Sequence, residues 1–244
     1  MANTKAIQVG CSGWHYKHWR GVYYPAGTPQ ADYLPHYLRD FKTVEINNSF
    51  YRLPPPETFA AWYQAVPADF LFAVKASRYI THLKKLKDPQ ESLVRFLENV
   101  AVLKEKLGPI LFQLPPRWQC DPKRLATFLA ALPPYFRYTF EFRDHSWYHP
   151  EVYGLLQKHR AAFCIYDLEY HLSPLEVTTD FVYIRLHGPV NIYDGSYSEE
   201  VLQEWANRCQ TWQKSGKEVW VYFDNDMHGH APHNARRLQE LVRV

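Results

Sequence analysis

The stretch RYTFEFRDHSWYHPEVYGLLQKHRAAFCIY, residues 137–166, holds one complete strand, helix and strand in succession. RYTFEF (137–142) is rich in aromatic and β-branched residues, as a half-buried or buried strand is. PEVYGLLQKHR (150–160) spaces its apolar residues at three- and four-residue intervals, which predicts a helix. AAFCIY (161–166) returns to an apolar, strand-like run. Inside the first strand Glu141 and Arg143 stand two positions apart, so the alternation of a strand turns both to the same side. An apolar surrounding would make that pair costly to bury, whereas the mouth of a binding site gives it a use.

Working outward, the same alternation recurs along the chain. Strand-like runs begin at residues 7 (IQVGC), 42 (KTVEI), 70 (FLFAVK), 109 (PILFQ), 181 (FVYIRL) and 218 (EVWVYF), which with the two above makes eight. Helical spacing lies between them at 89–108, where a glycine is expected to stop the helix, and at 198–216. Eight β/α units in 244 residues predict an α/β fold, a TIM (β/α)8 barrel forming a single domain over residues 1–244. A doubly wound open sheet is the alternative, but GCSGW (10–14) does not fit the G-x-G-x-x-G turn that such sheets usually carry after the first strand. Residues 167–180 contain Pro174 and little helical periodicity, which predicts an irregular or missing helix between the sixth and seventh strands. Residues 12–30 and 187–198 predict long loops.

The composition is that of a globular chain: 46% hydrophobic, 16% aromatic and 22% charged, with a net charge of +3. So small an excess of positive charge does not by itself call for a polyanionic partner. Cys11, Cys120, Cys164 and Cys209 show no C-x-x-C spacing and fit reduced thiols. No apolar run approaches the roughly 20 residues needed to cross a bilayer, and the N-terminal residues lack a signal-peptide core. The expectation is a soluble cytoplasmic protein, with no membrane association and no obligate protein partner.

In a TIM barrel, functional residues gather at the carboxyl ends of the strands. Those ends carry Ser12, Glu45 with Asn47, Lys75, Gln113, Glu141 with Arg143, Asp167, Arg185 with His187, and Asp224, Asn225 and Asp226. Glu45, Lys75, Glu141, Arg143, Arg185 and Asp226 are expected to line one pocket. Aromatic residues crowd the same end, among them Trp14, Tyr51 and Trp147, either as a hydrophobic collar or as flat faces for a sugar ring or a base. The run DNDMHGHAPH (224–233) invites a metal, but its spacing matches neither a helical H-x-x-x-H nor a tetrahedral Cys/His pattern. It reads as a solvated loop, and no metal ligand or cofactor is assigned, a divalent metal being the weaker alternative. No nucleophile elbow, P-loop or zincin motif occurs.

Seven segments in order, GCSGWHYKHWRGVYYP (10–25), VEINNSFYRLP (44–54), FAVKASRYITH (72–82), LGPILFQLPP (107–116), EFRDHSW (141–147), YIRLHG (183–188) and FDNDMHGHAPHNA (223–235), resemble the YecE-like family, a TIM-barrel domain of unknown function. The resemblance implies the fold and a pocket rather than a reaction. It adds Asn48 and His82 to the candidates, and through the likeness of that barrel to endonuclease IV and xylose isomerase-type enzymes it suggests phosphodiester or sugar chemistry by analogy. Asp224 stands where the family pattern is closer to F-N-N-D, and His228, His230 and His233 lie outside that pattern.

Three functions follow as expectations. The first is binding or acting on a phosphate-containing substrate, nucleic acid included, because Lys75, Arg143 and Arg185 would grip an oxyanion. The second is a sugar-processing enzyme, glycosidase- or isomerase-like, with paired carboxylates. The third is a non-catalytic binding protein. Turnover, if present, would be of the hydrolase or isomerase type. Glu45, Glu141, Asp226, His82 and His187 are the candidates for acid–base work. Ser12, Trp14, Asn48, Tyr51, Lys75, Gln113, Arg143, Trp147, Asp167, Arg185 and Asn225 are the candidates for ligand binding.

Overall fold

A computed structural model describes residues 5–243. Its strands are β1 (Ile7–Cys11), β2 (Thr43–Ile46), β3 (Leu71–Lys75), β4 (Leu107–Gln113), β5 (Tyr138–Glu141), β6 (Ala162–Leu168), β7 (His171–Leu172), β8 (Phe181–Leu186) and β9 (Glu218–Phe223). Helices α1 (Tyr33–Tyr37), α2 (Pro56–Ala65), α3 (Pro89–Ala101), α4 (Pro122–Ala130), α5 (Pro150–Lys158), α6 (Glu199–Lys214) and α7 (His230–Val242) alternate with them. The strands run in the order β1-β9-β8-β6-β5-β4-β3-β2, and a parallel bridge between Ser12 and Glu45 joins the two ends of that order. The fold is therefore an α/β barrel of the TIM type, with eight parallel strands.

Contacts group the chain into two compact units. The first takes residues up to Glu45, Ile165–Leu175 and Asp180 onward. In it β1 pairs with β9 from Ile7–Val219 to Cys11–Phe223, and β9 pairs with β8 so that Arg185 faces Tyr222. Gly10 lets β1 approach β2 closely: a Cβ there would stand 2.3 Å from the Thr43 carbonyl oxygen. The second unit takes Ile46–Cys164 and Glu176–Thr179. There β3, β4 and β5 pair in parallel, with Gln113 beside Glu141. Its core is aromatic: Phe112, Phe140, Phe142 and Trp147 stack in turn at centroid distances of 5.2, 6.3 and 4.9 Å.

Between β6 and β8 there is no helix, as Pro174 and the weak periodicity predict; β7 folds back antiparallel on β6 instead, pairing Asp167 with Leu172. Two expectations are corrected. Gly108 does not end a helix, because α3 stops at Ala101 and Gly108 lies within β4. The run 224–233 is not all loop: Gly229, in the left-handed region at φ +73°, caps α7, and His230 and His233 belong to that helix. Ala231, Ala235, Leu238 and Leu241 recur at helical spacing and bury one side of α7, which supplies the driving force. Among the described residues no helix is long and apolar enough to cross a membrane.

Candidate functional site

In the first unit the polar ends of β1, β2, β8 and β9 converge on one side chain. Arg185 is wholly buried, and a guanidinium in that position is stable only where its N–H groups meet acceptors. Its Nε lies 3.2 and 3.1 Å from the two carboxylate oxygens of Glu45. Its Nη2 donates to Glu45 Oε1 at 2.8 Å, to Asp224 Oδ2 at 2.9 Å and to Ser12 Oγ at 3.2 Å. Glu45 also accepts from the Ser12 hydroxyl and, at 2.7 Å, from the Tyr183 hydroxyl.

His187 completes the cluster, with Nε2 3.3 Å from Arg185 Nη1 and Nδ1 2.9 Å from Asp224 Oδ2. Because a guanidinium can only donate, Nε2 is the acceptor in its contact with Arg185. The two-residue spacing of Tyr183, Arg185 and His187 along and just beyond β8 brings all three to the same network, as strand alternation requires.

This geometry alters two of the sequence-based roles. Both oxygens of Glu45 are occupied by the protein's own donors, and Arg185 bonds two carboxylates. Neither is laid out as a proton shuttle or an anion clamp; together they form a buried frame. Asp224, named at the end of the last strand but given no role from sequence, is a full member of it. Asp226 stands further out, with a mostly buried side chain, and its carboxyl is pushed up to about 7 by burial and by the neighbouring Asp224 carboxylate. Its backbone oxygen accepts from Trp19 Nε1 at 3.1 Å.

The remaining candidates of this unit are structural in their contacts. Asn225 donates to Gly195 O at 2.8 Å and to Asn234 Oδ1 at 2.9 Å, tying the 187–198 loop to α7. Trp14 is buried, with its carbonyl accepting from the Tyr24 hydroxyl. Asp167 is half-buried; burial raises its carboxyl, opposed by a hydrogen bond from Tyr197.

In the second unit a different electrostatic character prevails. Glu141 is wholly buried and is paired with Arg143 Nε, so the parity inferred from residues 141 and 143 corresponds to an actual ion pair. The thiol of Cys164 lies 3.8 Å from the other Glu141 oxygen. Lys75, at the end of β3, is nearly buried and holds its ammonium 4.3 Å from the centroid of the Phe50 ring. The edge of His82 meets the same ring at 5.0 Å, and His82 Nδ1 lies 2.9 Å from Thr81 Oγ1.

Thr81 and His82 sit on a π-helical turn, Tyr79–Leu83, a geometry that is rare in general and frequent at functional sites. The His82 imidazole is pushed down to about 4, first by burial and then by Lys75, Arg78 and Arg143. Arg78, exposed and beside this turn, was not among the sequence-based candidates. Tyr51 is exposed, packed edge-on against Phe50 at 5.1 Å, and Asn48 is exposed as well. Gln113 donates to Leu114 O at 3.0 Å, and Trp147 is wholly buried with Nε1 bonded to Trp118 O. Trp147 thus belongs to the packed collar and offers no open ring face.

Among known proteins, the chain is similar to the UPF0759 protein YunF of Bacillus subtilis, 25% identical over 98% of this chain and 95% of that one. The UPF0759 protein YecE of Escherichia coli is 29% identical over 61% of this chain and 50% of its own length. The crystal structure of a DUF72 family protein from Thermotoga maritima matches with a TM-score of 0.89 and 29% identity, covering 98% of this chain and all of that one (100%). A putative vitamin-B12 independent methionine synthase from Listeria monocytogenes matches at TM-score 0.56 and 11% identity, a likeness of fold alone. Residues 8–244 match the family described as protein of unknown function DUF72, and the chain belongs to that family.

Proposed function

We propose that the protein binds a phosphate-containing ligand through the cations around His82 in the second unit, with sugar phosphates, nucleotides and single-stranded nucleic acid as the candidate classes. The observation that carries this is the gathering of Lys75, Arg78 and Arg143 near the Phe50–His82 ring pair: burial lowers the His82 imidazole most, and the three cations stand close enough to oppose its protonation further. Three cations gathered near one half-exposed imidazole make a setting that an oxyanion ligand complements. Glu141 orients the Arg143 guanidinium, and the Phe50 ring beside Lys75 and the exposed Tyr51 ring offer flat apolar surface to a base or sugar. A neutral imidazole can donate or accept a hydrogen bond at the phosphate, and its protonation is favoured once the anion is in place.

Calorimetric titration with inorganic phosphate, sugar phosphates, nucleotides and short single-stranded oligonucleotides tests the proposal. Arg78→Ala removes an exposed cation without disturbing Glu141, and Lys75→Met keeps the packing on Phe50. Each is expected to weaken binding by about 1.5–3 kcal/mol, the range for hydrogen bonds to charged groups. Binding of neutral sugars only, indifferent to both substitutions, contradicts the phosphate assignment and favours the sugar-processing alternative.

A further inference from the structure

Asp194, His228 and His230 bring one carboxylate oxygen and two imidazole nitrogens within 4.8 Å of one another, all in the first unit. Their sequence positions conceal this. His228 and His230 are two apart, which is not the spacing of a helical pair, and Asp194 comes from the 187–198 loop, 34 residues before His228. Gly229 makes the arrangement: its left-handed backbone turns the chain between the two histidines, so that His230 opens α7 while His228 stays on the preceding turn.

The loop that brings Asp194 is anchored independently. Gly195 N–H donates to Asp194 Oδ1 at 2.7 Å, Asp194 N–H donates to Asn191 O at 3.1 Å, and Met227 N–H donates to Tyr193 O at 3.1 Å. Asn225 Nδ2 holds Gly195 O from the other side at 2.8 Å. His228 Nδ1 already lies 2.8 Å from Asp194 Oδ1.

We infer that Asp194, His228 and His230 form a binding site for a divalent transition metal of the zinc class. Two imidazoles and one carboxylate are the ligand types that zinc takes, and imidazole discriminates against Mg²⁺ and Ca²⁺, which prefer oxygen. Bond lengths of about 2.0–2.2 Å in a tetrahedral site place ligand atoms about 3.3 Å apart. The widest separation must therefore close by no more than about 1.5 Å while the 2.8 Å His228–Asp194 pair opens by about 0.5 Å, movements that rotation of the exposed His228 side chain contributes to. His230 opens a helix whose dipole disfavours a cation, and the Asp194 carboxylate supplies the compensating charge. Three protein ligands leave a fourth position for water or an external donor, the arrangement of an open zinc site.

The test uses the intact chain, stripped with chelator and titrated with Zn²⁺ by calorimetry, and with Co²⁺ by visible absorption. One metal per chain is expected, with the d–d bands of a tetrahedral Co²⁺ site. His228→Ala and Asp194→Asn should each weaken Zn²⁺ binding by more than the roughly 10–100-fold that loss of an outer-shell partner costs. His228 is exposed, so its replacement should leave the thermal unfolding of the metal-free protein unchanged, which separates loss of a ligand from loss of fold. Stoichiometric binding that survives both substitutions, or no saturable Zn²⁺ binding to the unaltered chain, overturns the assignment.

Discussion

At the scale of single residues, the buried frame and the cation cluster make opposite demands. Arg185 is held between Glu45 and Asp224 with no exposure to water, so loss of the Glu45 carboxylate leaves Asp224 as counter-charge but withdraws acceptors from a buried guanidinium and from the Ser12 and Tyr183 hydroxyls. Glu45→Gln is nearly isosteric but sets an amide N–H₂ against donors that the carboxylate accepts from, and it should lower the stability to unfolding by about 1–3 kcal/mol, read by urea denaturation. A loss below about 1 kcal/mol, the worth of a surface pair, would show that the frame is not sealed from solvent. His82 bears on stability through pH. Its folded-state value is lowered from the ordinary 6.5 to about 4, so the unfolded chain takes up the proton first. The contribution of this imidazole is therefore fully present above pH 6.5 and is lost as pH falls through 4. His82→Gln should flatten that part of the acid limb in a series of melting curves from pH 7 to pH 4, and an unchanged slope would contradict the lowered value.

At the scale of elements, the strands were readable because each is a short run rich in β-branched and aromatic residues, and all eight parallel strands begin within two residues of the positions inferred from pattern alone. The missing helix after β6 was readable too, from Pro174 and the lack of period. Helix α7 was not, because its first turn is polar and His-rich, and its apolar residues emerge as a stripe only once Gly229 is seen to start the helix. Gly229 is a cap whose left-handed backbone the surrounding letters do not announce. Gly188 is the comparable case in the loop after β8: it sits at φ +118°, and a Cβ there would stand 2.2 Å from the backbone oxygen of Asp194. Gly188→Ala should destabilise by at least about 1 kcal/mol, since both the backbone conformation and the space oppose a side chain. The same change should weaken Zn²⁺ binding by displacing Asp194, and a fully native zinc affinity in this variant would separate the loop's strain from the metal site.

At the scale of the whole chain, the fold and the family were legible in the sequence, while the division of labour within the candidate site was not. Parity alone paired Glu141 with Arg143, because the partners are two residues apart on one strand. The partner of Arg185 is Glu45, 140 residues away, and no local pattern carries that information. For the same reason Arg185 reads from sequence as an anion clamp when its donors are already given to carboxylates. The net charge of +3 is likewise uninformative, since what bears on a ligand is the gathering of Lys75, Arg78 and Arg143 around His82. Anion binding at those cations therefore has a direct reporter in the molecule. The measurement is the pH titration of the His82 imidazole by nuclear magnetic resonance, with and without saturating inorganic phosphate. A bound phosphate should move the midpoint upward from about 4, because the anion offsets the three cations that oppose protonation, while burial, the larger cause, keeps it below the ordinary 6.5. A midpoint that stays at about 4 at every phosphate concentration would contradict phosphate binding at this site.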